Sequence, residues 1–274
     1  MYMDKVTEIL HEAAATAILP RFQALAAGEI TEKSPGELVT VADREAEQLI
    51  SRRLRELLDA PVVGEEATAA DPGLLRALRE APAAWVVDPL DGTANFVEGR
   101  PEYAVQVALV REGRTVACWI VQPALGREFT AELGGGAWSS GVRLHREPAP
   151  AEPERIRGAA LTKYLDPVVR EYVETVRSRF AALESGTKAA GVDYPRLLTG
   201  EVDFLRYQRT LPWDHAPGAL LVTEAGAVVQ RLDGTGYRPD DDRTGLLVAA
   251  DQACWARVLE LITPPGDAAR AVPQ

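Results

Sequence analysis

The chain has 274 residues, 46% hydrophobic and 26% charged, which is enough apolar material to bury a core for one large domain or two packed lobes and too much for a disordered chain. Its formal net charge of −11 argues against a binder of nucleic-acid backbones, which gathers Lys and Arg into a dominant patch, and against attachment to anionic membranes. Two cysteines and three histidines leave little for a disulfide framework or a zinc centre, and no apolar run reaches membrane-spanning length.

In chain order, Met1-Tyr2-Met3-Asp4-Lys5 leads into an Ala-rich amphipathic segment carrying Glu8 and Glu12, unlike a signal peptide, so a cytoplasmic location is expected. Val6, Ile9, Leu10, Ala13, Ala14, Ala17 and Ile18 recur at helical spacing and predict a long packing helix over 4–27, kinked or broken at Pro20. A polar loop covers 32–37. Ala46, Leu49, Ile50, Leu54, Leu57 and Leu58 then predict a helix over 40–58, with Thr40 as its N-cap. Residues 61–64 read as a short strand delivering Glu65 and Glu66 to its end, and Asp71-Pro72 opens a helix to about residue 80.

The apolar run Trp85-Val86-Val87 drives into Asp88-Pro89-Leu90-Asp91-Gly92-Thr93. It reads as a buried strand ending abruptly, with two carboxylates on a sharp bend and the amides of Gly92 and Thr93 open beside them. Residues 103–110 and 115–122 predict a β-hairpin, and 127–131 with 137–144, joined through Gly134-Gly135-Gly136, continue the antiparallel sheet. The Pro-rich, charged stretch 145–154 is the best candidate boundary between two lobes, 1–147 and 148–274. Beyond it come a strand at 157–161, helices at 166–183 and 188–198, and a strand at 202–207. A helix at 213–225, strands at 227–230 and 246–249, a helix at 252–262 and a frayed tail after Thr263 complete the chain.

The first half thus pairs helices with a meandering sheet, and the second alternates helices and strands as an α/β layer. Cys118 and Cys254 fall in apolar runs and are expected to be buried free thiols. Leu232-Asp233-Gly234-Thr235 repeats Leu90-Asp91-Gly92-Thr93 but lacks a partner acid equivalent to Asp88, and reads as an ordinary turn.

Three apolar runs end in acids: Glu65 and Glu66, Asp88 and Asp91, and Asp214 after Leu211-Pro212-Trp213. Carboxylates brought together repel unless cations neutralise them. Oxygen-only ligation points to Mg2+, with Mn2+ as the alternative, and to a hydrolysis in which one ion generates hydroxide while another stabilises the leaving oxygen. His215 follows Asp214, but successive helix positions diverge by about 100°, so a packing role is expected for it.

These motifs, with Gly64-Glu65-Glu66, Asn95-Phe96, Trp213-Asp214 and Glu224-Ala225-Gly226, resemble the inositol monophosphatase family of metal-dependent, lithium-sensitive phosphatases. Lys33-Ser34, Val39-Thr40 and Asp43 are similar to that family's early loop, with Glu37 standing where an Asp is usual. The resemblance implies a layered αβαβα sandwich of the sugar phosphatase type, with most metal ligands and the phosphate site in the first lobe, Asp214 and the specificity residues in the second. It implies Glu65, Asp88, the Leu90 carbonyl, Asp91 and Asp214 as ligands of two or three Mg2+ ions. Thr93 would position the attacking water with Asp43 behind it, Glu65 and Asp91 sharing in catalysis, and Gly92 and Thr93 would cradle the phosphate.

The implied reaction is direct hydrolysis by a metal-activated water, without a phosphoenzyme, on a small phosphorylated metabolite such as an inositol phosphate or related sugar phosphate, by a homodimer. Tyr207 stands where inositol-preferring members carry a Glu, and Tyr207, Arg206 and Lys188 are the candidate substrate contacts, with Arg209 and Lys163 nearby, set against core or rim packing for Tyr207 and solvated surface charge for the basic residues. Histidinol-phosphate, fructose 1,6-bisphosphate and adenosine 3',5'-bisphosphate are alternative substrates. A non-catalytic protein that binds a phosphorylated metabolite is the alternative of another class.

Overall fold

The computed structural model describes residues 2–264. The tail expected to fray lies, from residue 265 on, outside the described residues.

The first helix, Met3–Ala13 (α1), buries Val6, Ile9, Leu10 and Ala13 on one face. It is shorter than its periodicity predicts: a π-type turn over Ala14–Ile18 and a 3-10 turn over Leu19–Arg21 unwind it around Pro20, and Phe22 is extended. The expected polar loop is an antiparallel hairpin, Ile30–Ser34 (β1) with Glu37–Thr40 (β2). Helix Val41–Leu57 (α2) starts at Thr40, whose Oγ1 accepts the Ala42 amide at 3.1 Å while Asp43 Oδ2 accepts the Thr40 amide at 2.8 Å. Strand Val62–Gly64 (β3) leads into a short helix, Glu65–Ala70 (α3), and a 3-10 turn over Pro72–Arg76 precedes Ala77–Glu80 (α4).

All nine residues of Ala83–Asp91 (β4) are buried. The expected bend at the two carboxylates lies within the strand, which runs on to Asp91 across an irregularity. Asp88 pairs with Gln106 and Asp91 with Ala104, so the residues at Pro89 and Leu90 bulge. Proline has no ladder N–H to lose at such a place. Helix Thr93–Val97 (α5) follows, and then the meander Ala104–Arg111 (β5), Arg114–Gln122 (β6), Arg127–Glu132 (β7), Gly136–Ser139 (β8) and Val142–Leu144 (β9).

The second half holds Arg157–Ala160 (β10), Pro167–Thr175 (α6), Ala182–Glu184 (β11), Ala190–Leu198 (α7) and Phe204–Tyr207 (β12). It closes with Pro212–Glu224 (α8), Val228–Arg231 (β13), Leu246–Ala249 (β14) and Gln252–Ile262 (α9). The helix expected to reach residue 183 stops at Thr175, giving way to a turn and β11.

The elements stack as five layers. α1 and α2 cover one face of the seven-stranded sheet, ordered β3-β4-β5-β6-β7-β8-β9, with Ile50 and Leu54 packed with Trp85, Val87 and Trp119. Its other face meets α7 and α8, which also back the five-stranded sheet, ordered β11-β10-β12-β14-β13; Ile120 and Phe129 share a core there with Tyr194, Leu221 and Leu205. α6 and α9 close the outer face through Val173, Phe204, Leu247 and Val258. The chain is an αβαβα sandwich. Cys118 and Cys254 are buried and free. Among the described residues no helix is long and apolar enough to cross a membrane.

Candidate active site

Four chain segments meet where β4 runs out. Its bulge supplies Asp88 and Asp91, which are 1% and 8% exposed. Asp88 Oδ1 accepts the Leu90 amide at 3.1 Å, which fixes the bend. Gly92 then takes φ +87, a left-handed conformation, and a Cβ there would stand 2.9 Å from both Ala189 Cβ and the Glu102 carbonyl oxygen. The turn aims Thr93 Oγ1 at two acceptors, Asp43 Oδ1 at 2.9 Å and the Leu90 carbonyl at 3.0 Å. Asp43 is fully buried at the start of α2, and burial raises its carboxyl to about 7 against the pull of the Thr40 and Thr93 hydrogen bonds.

α3 begins at the end of β3 and carries Glu65 and Glu66. Lys33, from the β1–β2 hairpin, reaches Glu65 Oε1 at 2.6 Å and Glu66 Oε1 at 2.7 Å. Burial alone would lower the Lys33 ammonium, but the two glutamates hold it well above the usual lysine range. Asp214 comes from the first turn of α8, where the helix dipole favours an acid, and part of its surface stays open.

The electrostatics record how closely these acids approach. Asp88 is raised far above the ordinary carboxylate range by burial and by Glu65, Asp91 and Asp214, and Asp91 by burial and Asp214. Asp214 is raised to about 7 by burial and Glu65, eased by Arg209. No three acid, histidine or cysteine side chains among the described residues are closed into a ready metal cage. The donor set still fits a hard divalent cation: every candidate ligand is an oxygen, several are buried and mutually repelling, and the nearby ammonium of Lys33 engages only Glu65 and Glu66.

Two residues that sequence reasoning missed fix Asp91. The Gly191 amide, at the start of α7, donates to Asp91 Oδ2 at 2.5 Å and Gln106 Nε2 donates to the same oxygen at 3.0 Å. Among the described residues Oδ1 makes no such bond. A third, Glu47 on α2, accepts the amides of Glu66 and Ala67 at 2.8 Å each and so caps α3 from another element. None carries a local motif; each is legible only once the elements are packed.

A match to the inositol monophosphatase family extends over residues 2–263. The chain belongs to this family. It is 30% identical over 240 residues, 86% of its length and 87% of the relative's, to an inositol-1-monophosphatase of Mesorhizobium japonicum. It is 32% identical over 242 residues, 86% of each chain, to a protein of Pseudomonas aeruginosa called Nus factor SuhB. Among solved structures, a Thermotoga maritima IMPase superposes with a TM-score of 0.80 at 25% identity, covering 95% of this chain and 96% of that one. As a member of this family of metal-dependent phosphatases the chain is a phosphoric monoester hydrolase acting on small phosphorylated compounds.

The family motifs therefore sit together, but the expected substrate contacts do not. Tyr207 is 2% exposed, stacked on Tyr194 with ring centroids 5.6 Å apart and edge-on to His215 at 4.6 Å, so it is core rather than cleft lining. Arg206 is corrected outright: neighbours on a strand face opposite ways, and it lies on the Phe204 side of β12, under α6 and α9, away from the acids. Lys188 is exposed at φ +68 in the loop before α7. Asn95 Nδ2 ties that loop to α5, donating to the Thr187 carbonyl at 2.8 Å. His215 packs as expected. Its Nε2 donates to the Arg209 carbonyl at 3.1 Å, leaving Nδ1 to accept from Tyr194 at 3.0 Å, and burial depresses it to about 3, a neutral ring. Asp233 accepts the Thr235 amide at 3.0 Å in a turn and pairs with Arg243, as a turn residue and not as a member of the acid cluster.

Proposed function

We propose that the chain hydrolyses the phosphomonoester of a small sugar or cyclitol, an inositol phosphate or related sugar phosphate, with Mg2+ as cofactor. The observation that carries this reading is the Thr93 hydroxyl, held between the buried Asp43 and the Leu90 carbonyl amid the acids. Two or three bound cations, held by Glu65, Asp88, the Leu90 carbonyl, Asp91 and Asp214, would supply Lewis acidity and offset the charge of the leaving oxygen.

The chain's own residues then position the reactants. Thr93 has one hydroxyl proton for two acceptors; given to Asp43, it leaves the Thr93 lone pairs free to accept from the attacking water and aim it. Asp43, raised to about 7, can take up proton character near neutral pH. The amides of Gly92 and Thr93 would receive the phosphate, and Lys188, on the loop tied to α5, is the retained candidate for a contact to it. Residues 1–147 would supply the phosphate site and most metal ligands, and residues 148–274 Asp214 and the surface facing the alcohol. We infer further a lithium-sensitive homodimer, checked by inhibition assays and by light scattering in solution.

The test is phosphate release, with and without Mg2+, from inositol 1-phosphate, fructose 1,6-bisphosphate, histidinol-phosphate and adenosine 3',5'-bisphosphate, using the wild type and Asp91→Asn. Mg2+-dependent turnover of at least one ester, abolished in Asp91→Asn, is expected. Turnover of none, or turnover indifferent to Asp91→Asn, would return the protein to the class of non-catalytic phosphometabolite binders. Against that class stands the Thr93–Asp43 pair, for which a mere binder has no use.

A further inference from the structure

The sheet alternation that removes Arg206 from the cleft sends it to a second place. A cavity of about 270 Å³ opens beside the end of α9, bordered by Arg206, Arg231 and Arg243 together with Asp233, Ile262 and Thr263. Three guanidinium groups at one small cavity form an unusual concentration in a chain of net charge −11.

Their partners do not balance. Arg231 pairs with Asp241 at 2.5 Å, and Arg243 with Asp233. Arg206 has only a neutral partner, donating from Nη2 to Gln208 Oε1 at 3.2 Å, and no carboxylate partner among the described residues. It is 4% exposed, and burial pulls it down to about 10 with no anion beside it to restore it. Arg206 Nη1 and Arg231 Nε are both buried donors without an acceptor among the described residues. A buried water could not neutralise the charge, and a buried unpaired charge is costly.

We propose that this cavity is an anion site, separate from the acid cluster, that takes one small oxyanion of the phosphate or carboxylate class. One guanidinium in excess matches one negative charge. The size suits inorganic phosphate or a small metabolite, being below the usual range for larger ligands. Arg206 and Arg231 would meet the anion from the cavity wall, and Arg243, at the exposed mouth, would close over it.

The test is calorimetric titration of the full-length, metal-free protein with phosphate, sulfate and acetate, against chloride at matched ionic strength; metal-free, the acid cluster repels anions. Saturable binding of one oxyanion is expected, weakened about tenfold or more by Arg206→Met, as loss of a charge-assisted hydrogen bond implies. Without added anion, Arg206→Met should also raise the melting temperature, because it removes the unpaired charge. Arg243→Ala, at the solvent edge, is the second variant if Arg206→Met does not fold, with the same loss expected. The phosphate and acetate arms distinguish the two classes. No saturable binding, binding matched by chloride, or binding unchanged in the folded variant overturns the proposal.

Discussion

At the scale of single residues the site turns on how one hydroxyl proton is shared. Thr93 stands 2.9 Å from Asp43 Oδ1 and 3.0 Å from the Leu90 carbonyl, and can donate to only one at a time. Asp43 has its other oxygen committed to the Thr40 amide at 2.8 Å and to the Thr40 hydroxyl, so Oδ1 is the atom left for Thr93. If Thr93 aims water rather than gripping substrate, its loss should appear in the chemical step. Thr93→Ala is therefore expected to lower kcat by about 10²–10⁴-fold with little change in KM, while Thr93→Ser keeps most of the rate. Steady-state phosphate release on the substrate found in the panel decides this; a raised KM with unchanged kcat would assign Thr93 to binding instead.

At the scale of elements, α3 is six residues long and too short to stand alone. Glu47 holds it by capping two of its first amides, and Gly64 lets that carboxylate approach, since a Cβ there would lie 2.5 Å from the Glu47 carboxyl. Glu47→Ala should cost about 1–2 kcal/mol in urea denaturation, as loss of a cap does, and raise the Mg2+ concentration for half-maximal activity because Glu65 loses its fixed place. Here the limits of reading the sequence are plain. α2, β4, the β5–β6 hairpin and α9 announce themselves by period and capping. α3 does not, because its cap lies 19 residues away on another helix. The β1–β2 hairpin is hidden because β1 is mostly exposed and its two strands pair only with each other, so neither shows the alternation of a half-buried strand. The acids were legible as a family pattern, and the grip of Gly191 and Gln106 on Asp91 was not. Arg206 and Tyr207 could not both face the cleft from one strand, and as it proved neither does.

At the scale of the whole molecule, one contact joins the β1–β2 hairpin to the loop ahead of α8. Arg209 pairs with Glu37 and lies over the Tyr164 ring at 4.4 Å, while Tyr164 donates to Glu37 Oε1 at 3.2 Å and Ser34 to Oε2 at 2.9 Å. The hairpin carries Lys33 and the loop leads to Asp214, so this bridge holds the two margins of the acid cluster together. Glu37 is long enough to meet Arg209 here. Burial by itself would raise the Glu37 carboxyl, but Arg209, with Ser34 and Tyr164, holds it down to about 2. Its folded value is thus below the ordinary 4.5, so its stabilisation is complete above 4.5 and is lost as pH falls through about 2. Glu37→Gln should accordingly be less stable than wild type at pH 6. In urea denaturation from pH 6 to pH 3 the gap between the two is expected to narrow once pH drops below 4.5. A gap constant over that range would mean that the glutamate's charge contributes nothing to the bridge.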